Sequence, residues 1–74
     1  MRVPKVDAIA TGENIRRYRK EEGFTQTELA NCFNFTTQQM VWRWENGKTV
    51  PSVDNLVILS FILGVSIDDL VVRK

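Results

Sequence analysis

Histidine is missing from the 74 residues, and cysteine occurs once, at Cys32. A lone thiol in a chain without imidazoles cannot close an internal disulfide or anchor a usual zinc site, so Cys32 reads as a small helix residue. Long apolar runs are also missing. The longest, Leu56 to Leu63, is broken by Ser60 and falls far short of the roughly 20 residues that a membrane helix needs. Met1 to Ala10 lacks the apolar centre of a signal peptide, which points to the cytoplasm. There is no glycine-rich phosphate loop, and the only adjacent acids, Glu21-Glu22 and Asp68-Asp69, read as helix-end charges rather than as an acid and base pair. An enzyme is therefore not expected, and neither is a cofactor, a metal or a small-molecule ligand. Net charge is scarce too. Ten Lys and Arg against nine Asp and Glu leave +1, which predicts weak sequence-blind binding to nucleic acid and a small salt dependence.

What remains is an ordinary folded composition, 43% apolar and 26% charged, in a chain with room for one domain and a modest core. The charges are unevenly spread. Arg2, Lys5, Arg16, Arg17, Arg19 and Lys20 crowd the first 20 residues, while Asp54, Asp68 and Asp69 lie in the last third. Residues 1–6 carry Pro4 and two cations without periodicity and read as a loose arm; the folded unit is expected over 7–74. Asp7 or Thr11 caps a first helix that runs to about Glu22, with Ile15 and Tyr18 inward and Arg16, Arg17 and Lys20 outward on a solvated face, and Gly23 ends it.

Thr25-Gln-Thr-Glu28 is a capping box, which starts a short second helix over about 25–33 with Leu29, Ala30 and Phe33 inward. Asn34 tolerates the left-handed backbone of a sharp turn. Thr36-Thr-Gln-Gln39 is read as a second box, opening a third helix that Gly47 stops. Two short helices joined by a tight turn make a helix-turn-helix. On the third helix Val41 and Trp44, with Met40 beside them and Thr37 a turn earlier, form an apolar stripe. Gln38, Gln39, Trp42 and Arg43 fall off it. The forked ends of Gln and Arg match the edges of adenine and guanine, so this edge reads either as a DNA-reading surface or as a plain solvated helix face. Ser52 caps a fourth helix ended by Gly64, and Ser66-Ile-Asp-Asp69 starts a short fifth. The fold class is all-α, with five helices.

Gly23-Phe-Thr-Gln-Thr-Glu-Leu-Ala30, Trp44-Glu-Asn-Gly47, Pro51-Ser52 and Leu63-Gly-Val-Ser-Ile-Asp-Asp-Leu70, in this order and spacing, resemble the Cro and phage-repressor type of helix-turn-helix domain over about 9–72. The resemblance implies a lambda-repressor-like five-helix bundle that binds a double-stranded DNA operator as a homodimer. It makes the third helix the recognition helix, with Gln38, Gln39, Trp42 and Arg43 facing bases, and Gln26, Thr36, Asn46 and Lys48 on the DNA backbone. It also implies a structural ion pair between Arg19 and Glu45. The chain departs from the common pattern by one extra residue between Ala30 and Trp44, in the turn at Asn34-Phe35, and by the indole at Trp42.

Helix 4 is apolar almost all round, more than one buried face requires. Leu56, Leu59 and Leu63 suit the core, which leaves Ile58, Phe61 and Ile62, with Val71 and Val72 as possible additions, for a dimer surface. The expected function is transcriptional regulation, as a repressor. The alternative is a protein-binding module such as an antitoxin or accessory factor that uses the same fold through Trp42 or Phe61.

Overall fold

The computed structural model describes residues 3–74; Met1 and Arg2, and with them the first cation of the arm, lie outside it. The described residues form five helices and no strand: α1 Ala8–Glu21, α2 Gln26–Cys32, α3 Gln39–Glu45, α4 Val53–Leu63 and α5 Ile67–Leu70. Each start but one has an N-cap residue whose side chain satisfies a free amide. Asp7 accepts from the Ala10 amide at 3.1 Å, and Ser52 from Asn55 at 3.2 Å. Complete capping boxes stand at Thr25/Glu28 and Ser66/Asp69.

The exception is α3. Thr36 makes no box with Gln39; the helix begins at Gln39 behind Gln38, which makes no capping bond, and Thr37 Oγ1 accepts from the Gln39 amide at 3.3 Å. The cause lies in the turn. Asn34 takes φ +58°, and the next residue, Phe35, folds back so that its ring stacks on Phe33 at 5.2 Å and meets Trp44 edge-on at 5.8 Å. With Phe35 held inward, residues 36–38 complete the turn and leave a helix of seven residues. The extra residue is thus taken up ahead of α3. Its buried stripe is Val41, Trp44 and Glu45; Met40 and Thr37, expected inward, are exposed.

Ile15, Leu29, Ala30, Val41, Trp44, Leu59, Leu63 and Leu70 make the core, one or two from every helix. Helix α1 presses closely on the end of α3 through Gly12, where any Cβ would collide with the Trp44 carbonyl oxygen and stand 3.0 Å from the Glu45 carbonyl carbon. The helix propensity lost at a glycine, about 1 kcal/mol, is offset here by contact between backbones. The tail closes the bundle. Asn14 donates to the Asp69 and Leu70 carbonyls, and Thr11 Oγ1 accepts from Val72 at 3.0 Å. Lys5 and Val6, read as the end of a loose arm, lie with the cap residue Asp7 antiparallel to this tail: Asp7 N–H donates to the Val72 carbonyl and Lys74 N–H to the Lys5 carbonyl, both at 2.7 Å.

Candidate nucleic-acid interface

Burial of Val41, Trp44 and Glu45 sets which edge of α3 meets solvent. Gln39, Trp42 and Arg43, at spacings of three and four, share the other edge, and Gln38 precedes them by one residue. Gln38 and Gln39 are exposed, Arg43 is half-buried, and the Trp42 indole is 44% exposed. Open grooves flank this edge. One is lined by Thr37, Gln38, Gln39 and Trp42; another by Phe35, Thr36, Gln39, Met40 and Arg43 among others. The structure therefore brings the four base-facing candidates and Thr36 together on one surface.

A third groove separates α3 from α1 and the start of α2, and its floor is the ion pair. Arg19 Nε and Nη2 donate to the two oxygens of Glu45 at 2.6 and 3.0 Å, and Nη1 donates to the Phe24 carbonyl at 2.8 Å. Both side chains are buried, 9% and 1% exposed. The pair fastens the end of α3 to α1 and to the entry of α2. Gln26 Nε2 donates to the same carboxylate at 3.1 Å, so this amide is held by Glu45 and keeps one N–H free. Asn46 is fixed too, donating to the Trp42 carbonyl at 2.8 Å, while Lys48 follows left-handed Gly47 and is exposed. Arg16 lines this groove beside Trp42, Gln26 and Asn46. Nothing in the sequence separates it from Arg17, and both read as solvated cations.

The dimer candidates divide. Phe61 is 87% exposed and Ile58 39%, whereas Ile62 is half-buried and packs on the domain's own core, as does Val71. The exposed apolar stripe of α4 is Val53, Val57 and Phe61, four apart along one face, with Ile58 beside it. The sequence does not single out Val53 and Val57, since a helix apolar on almost all sides gives no direction to its pattern.

Two short helices around a left-handed turn residue, the second with a polar edge facing out, define a helix-turn-helix domain. Among known proteins, the profile described as "Helix-turn-helix" matches residues 15–70. The chain belongs to this family, the Cro/C1 type, which is one of DNA-binding transcriptional regulators and not of enzymes. A relative is the SPbeta prophage-derived HTH-type transcriptional regulator YonR of Bacillus subtilis (strain 168), described as uncharacterized and 38% identical over 57 residues. That match takes in 77% of this chain and 52% of YonR, so the chain spans about half the length of this relative. Among solved structures, the restriction-modification controller protein C.AhdI from Aeromonas hydrophila has a TM-score of 0.76 at 25% identity, over 86% of this chain and 96% of that one. The DNA-binding domain of BldD, at 0.75 and 21% over 89% of this chain and 94% of that one, shares the fold. Hydroxypropylphosphonic acid epoxidase from S. wedmorenis reaches 0.80 at 24%, over 89% of this chain but 35% of the epoxidase, and this likeness too is of fold alone. No described helix is long and apolar enough to cross a membrane.

Proposed function

We propose that residues 7–74 are the operator-binding head of a cytoplasmic transcriptional repressor that works as a homodimer. Helix α3 enters the major groove. Gln38, Gln39, Trp42 and Arg43 face the bases, and Gln26, Thr36, Asn46 and Lys48 hold the sugar-phosphate backbone. The observation that carries this is the division of α3: one edge locked by Val41, Trp44 and Glu45, the other offering two amides, an indole and a guanidinium to the outside. Amides and guanidinium are the groups that read adenine and guanine edges in pairs of hydrogen bonds, and the indole offers apolar contact to thymine methyl groups. Gln26 and Asn46 are each held by one hydrogen bond within the domain and keep a second N–H free, which supports them as backbone contacts.

Dimerisation through α4 is supported by the exposed Val53, Val57 and Phe61 stripe, with Ile58 at its side. A protein-binding module is the second reading, and Phe61 is the residue that favours it. Anisotropy of labelled random duplex pools, with enriched binders retested at two salt concentrations, separates the two. The repressor reading expects a two-fold symmetric site with half-sites about one helical turn apart. Sequence-blind binding lost at moderate salt favours the protein-binding module.

A further inference from the structure

We propose that the groove between α1, the start of α2 and α3 seats one phosphodiester of double-stranded DNA, and that Arg16 supplies its positive charge. This rests on the DNA-binding reading above and adds a contact from α1, a helix to which that reading gives no role on DNA. Three of the groove's lining residues are charged: Arg16, Arg19 and Glu45. Arg19 and Glu45 are spent on each other. Both carboxylate oxygens accept from Arg19, one of them also from Gln26, and the remaining Arg19 contact goes to the Phe24 carbonyl. The charge left to face the groove is Arg16, which is exposed and, among the described residues, has no ion pair or hydrogen bond.

Around it stand donors without acceptors. Gln26 Nε2 and Asn46 Nδ2 each use one N–H within the protein, on Glu45 and on the Trp42 carbonyl, and each keeps a second. A guanidinium with two amide donors suits an anion, and the planar fork of Arg suits phosphate oxygens. Trp42 borders both this groove and the one beside Gln38 and Gln39. An anion seated here therefore adjoins the base-reading edge, as backbone phosphates adjoin the bases of a groove.

Arg17 is the internal control. Its guanidinium lies 4.6 Å from the centre of the Tyr18 ring and donates to Asn14 at 3.4 Å, and Asn14 is tied to the carbonyls of α5. One residue along a helix turns the side chain by about 100°, so two like charges adjacent in sequence serve different faces.

The test is the slope of log binding constant against log salt on a fluorescein-labelled random-sequence duplex, for the whole chain and for Arg16→Ala, Arg17→Ala and Arg16→Lys. Loss of one phosphate contact lowers the slope by about 0.9 per bound chain, so over a fourfold rise in salt Arg16→Ala should lose about 3.5-fold less affinity than the parent. Arg17→Ala should keep the parental slope, and so should Arg16→Lys, which retains the charge. Both positions of change, 16 and 17, are on the surface, and a thermal melt by circular dichroism confirms folding. An unchanged slope in Arg16→Ala, or an equal change in Arg17→Ala, overturns the assignment while leaving DNA binding in place. Absence of duplex binding by the parent overturns it together with the reading on which it rests, and shows before any variant is compared.

Discussion

Replacing Arg19 by Met keeps the length of the side chain and removes its charge, leaving Glu45 as a carboxylate 1% exposed with Gln26 as its single side-chain donor. Two charge-assisted hydrogen bonds are lost at once, with the bond to the Phe24 carbonyl. Breaking a buried pair by removing one partner costs about 3 to 5 kcal/mol, because the remaining charge has neither water nor a counter-ion. For 74 residues at roughly 0.05–0.15 kcal/mol each, the whole domain is worth only about 4–11 kcal/mol. Arg19→Met should therefore remove about a quarter or more of the stability and lower the melting temperature by at least about 12 °C. Urea titration followed by far-ultraviolet circular dichroism reads the loss. The double variant Arg19→Met/Glu45→Leu supplies the second arm: with both charges gone, it should regain most of what the single change lost. A loss below about 1 kcal/mol in the single variant would put the pair in the class of surface bridges and refute the account of how α1 holds α3.

Gln38→Ala and Arg43→Ala should each weaken binding to a selected site by about 1–3 kcal/mol, measured by anisotropy, and leave the melting temperature near that of the parent. If both leave affinity intact, α3 is not the reading head. Phe61→Glu should shift sedimentation from dimer to monomer, because it sets a charge in the middle of the α4 stripe; an unchanged oligomer would remove α4 from the interface. Gly12→Ala should destabilise the domain even though alanine is the better helix former, since the new Cβ meets the backbone of Trp44 and Glu45. A melt equal to or above that of the parent would contradict the close approach of α1 and α3.

Local chemistry made most of the fold legible. Ser and Thr caps before α2, α4 and α5, and the glycines after α1, α3 and α4, stand where their hydrogen bonds and left-handed angles require. The failed box at Thr36 shows the boundary of that method. The residue pattern was right, but Phe35 packs on Phe33 and on Trp44, nine residues further on, and this contact decides where the turn ends. Burial of Leu56, Leu59 and Leu63 followed from spacing, yet the choice between Phe61 and Ile62 did not, because both neighbours are apolar and only packing against the core separates them. Arg16 and Arg17 pose the same problem with charge. Their difference arises from α2 and α3 on one side and α5 on the other, which no window along α1 contains.

On the proposed function, the outer edge of α3 reads DNA sequence. Parallel selection from one random duplex pool, by the parent and by Gln39→Ala, tests it most directly. If α3 reads bases, the parent enriches a two-fold symmetric site and the variant loses preference at one position in each half-site, keeping the others. If the two proteins enrich the same sequence with the same stringency, or neither enriches any, the edge that Gln39 shares with Trp42 and Arg43 is not the reading surface.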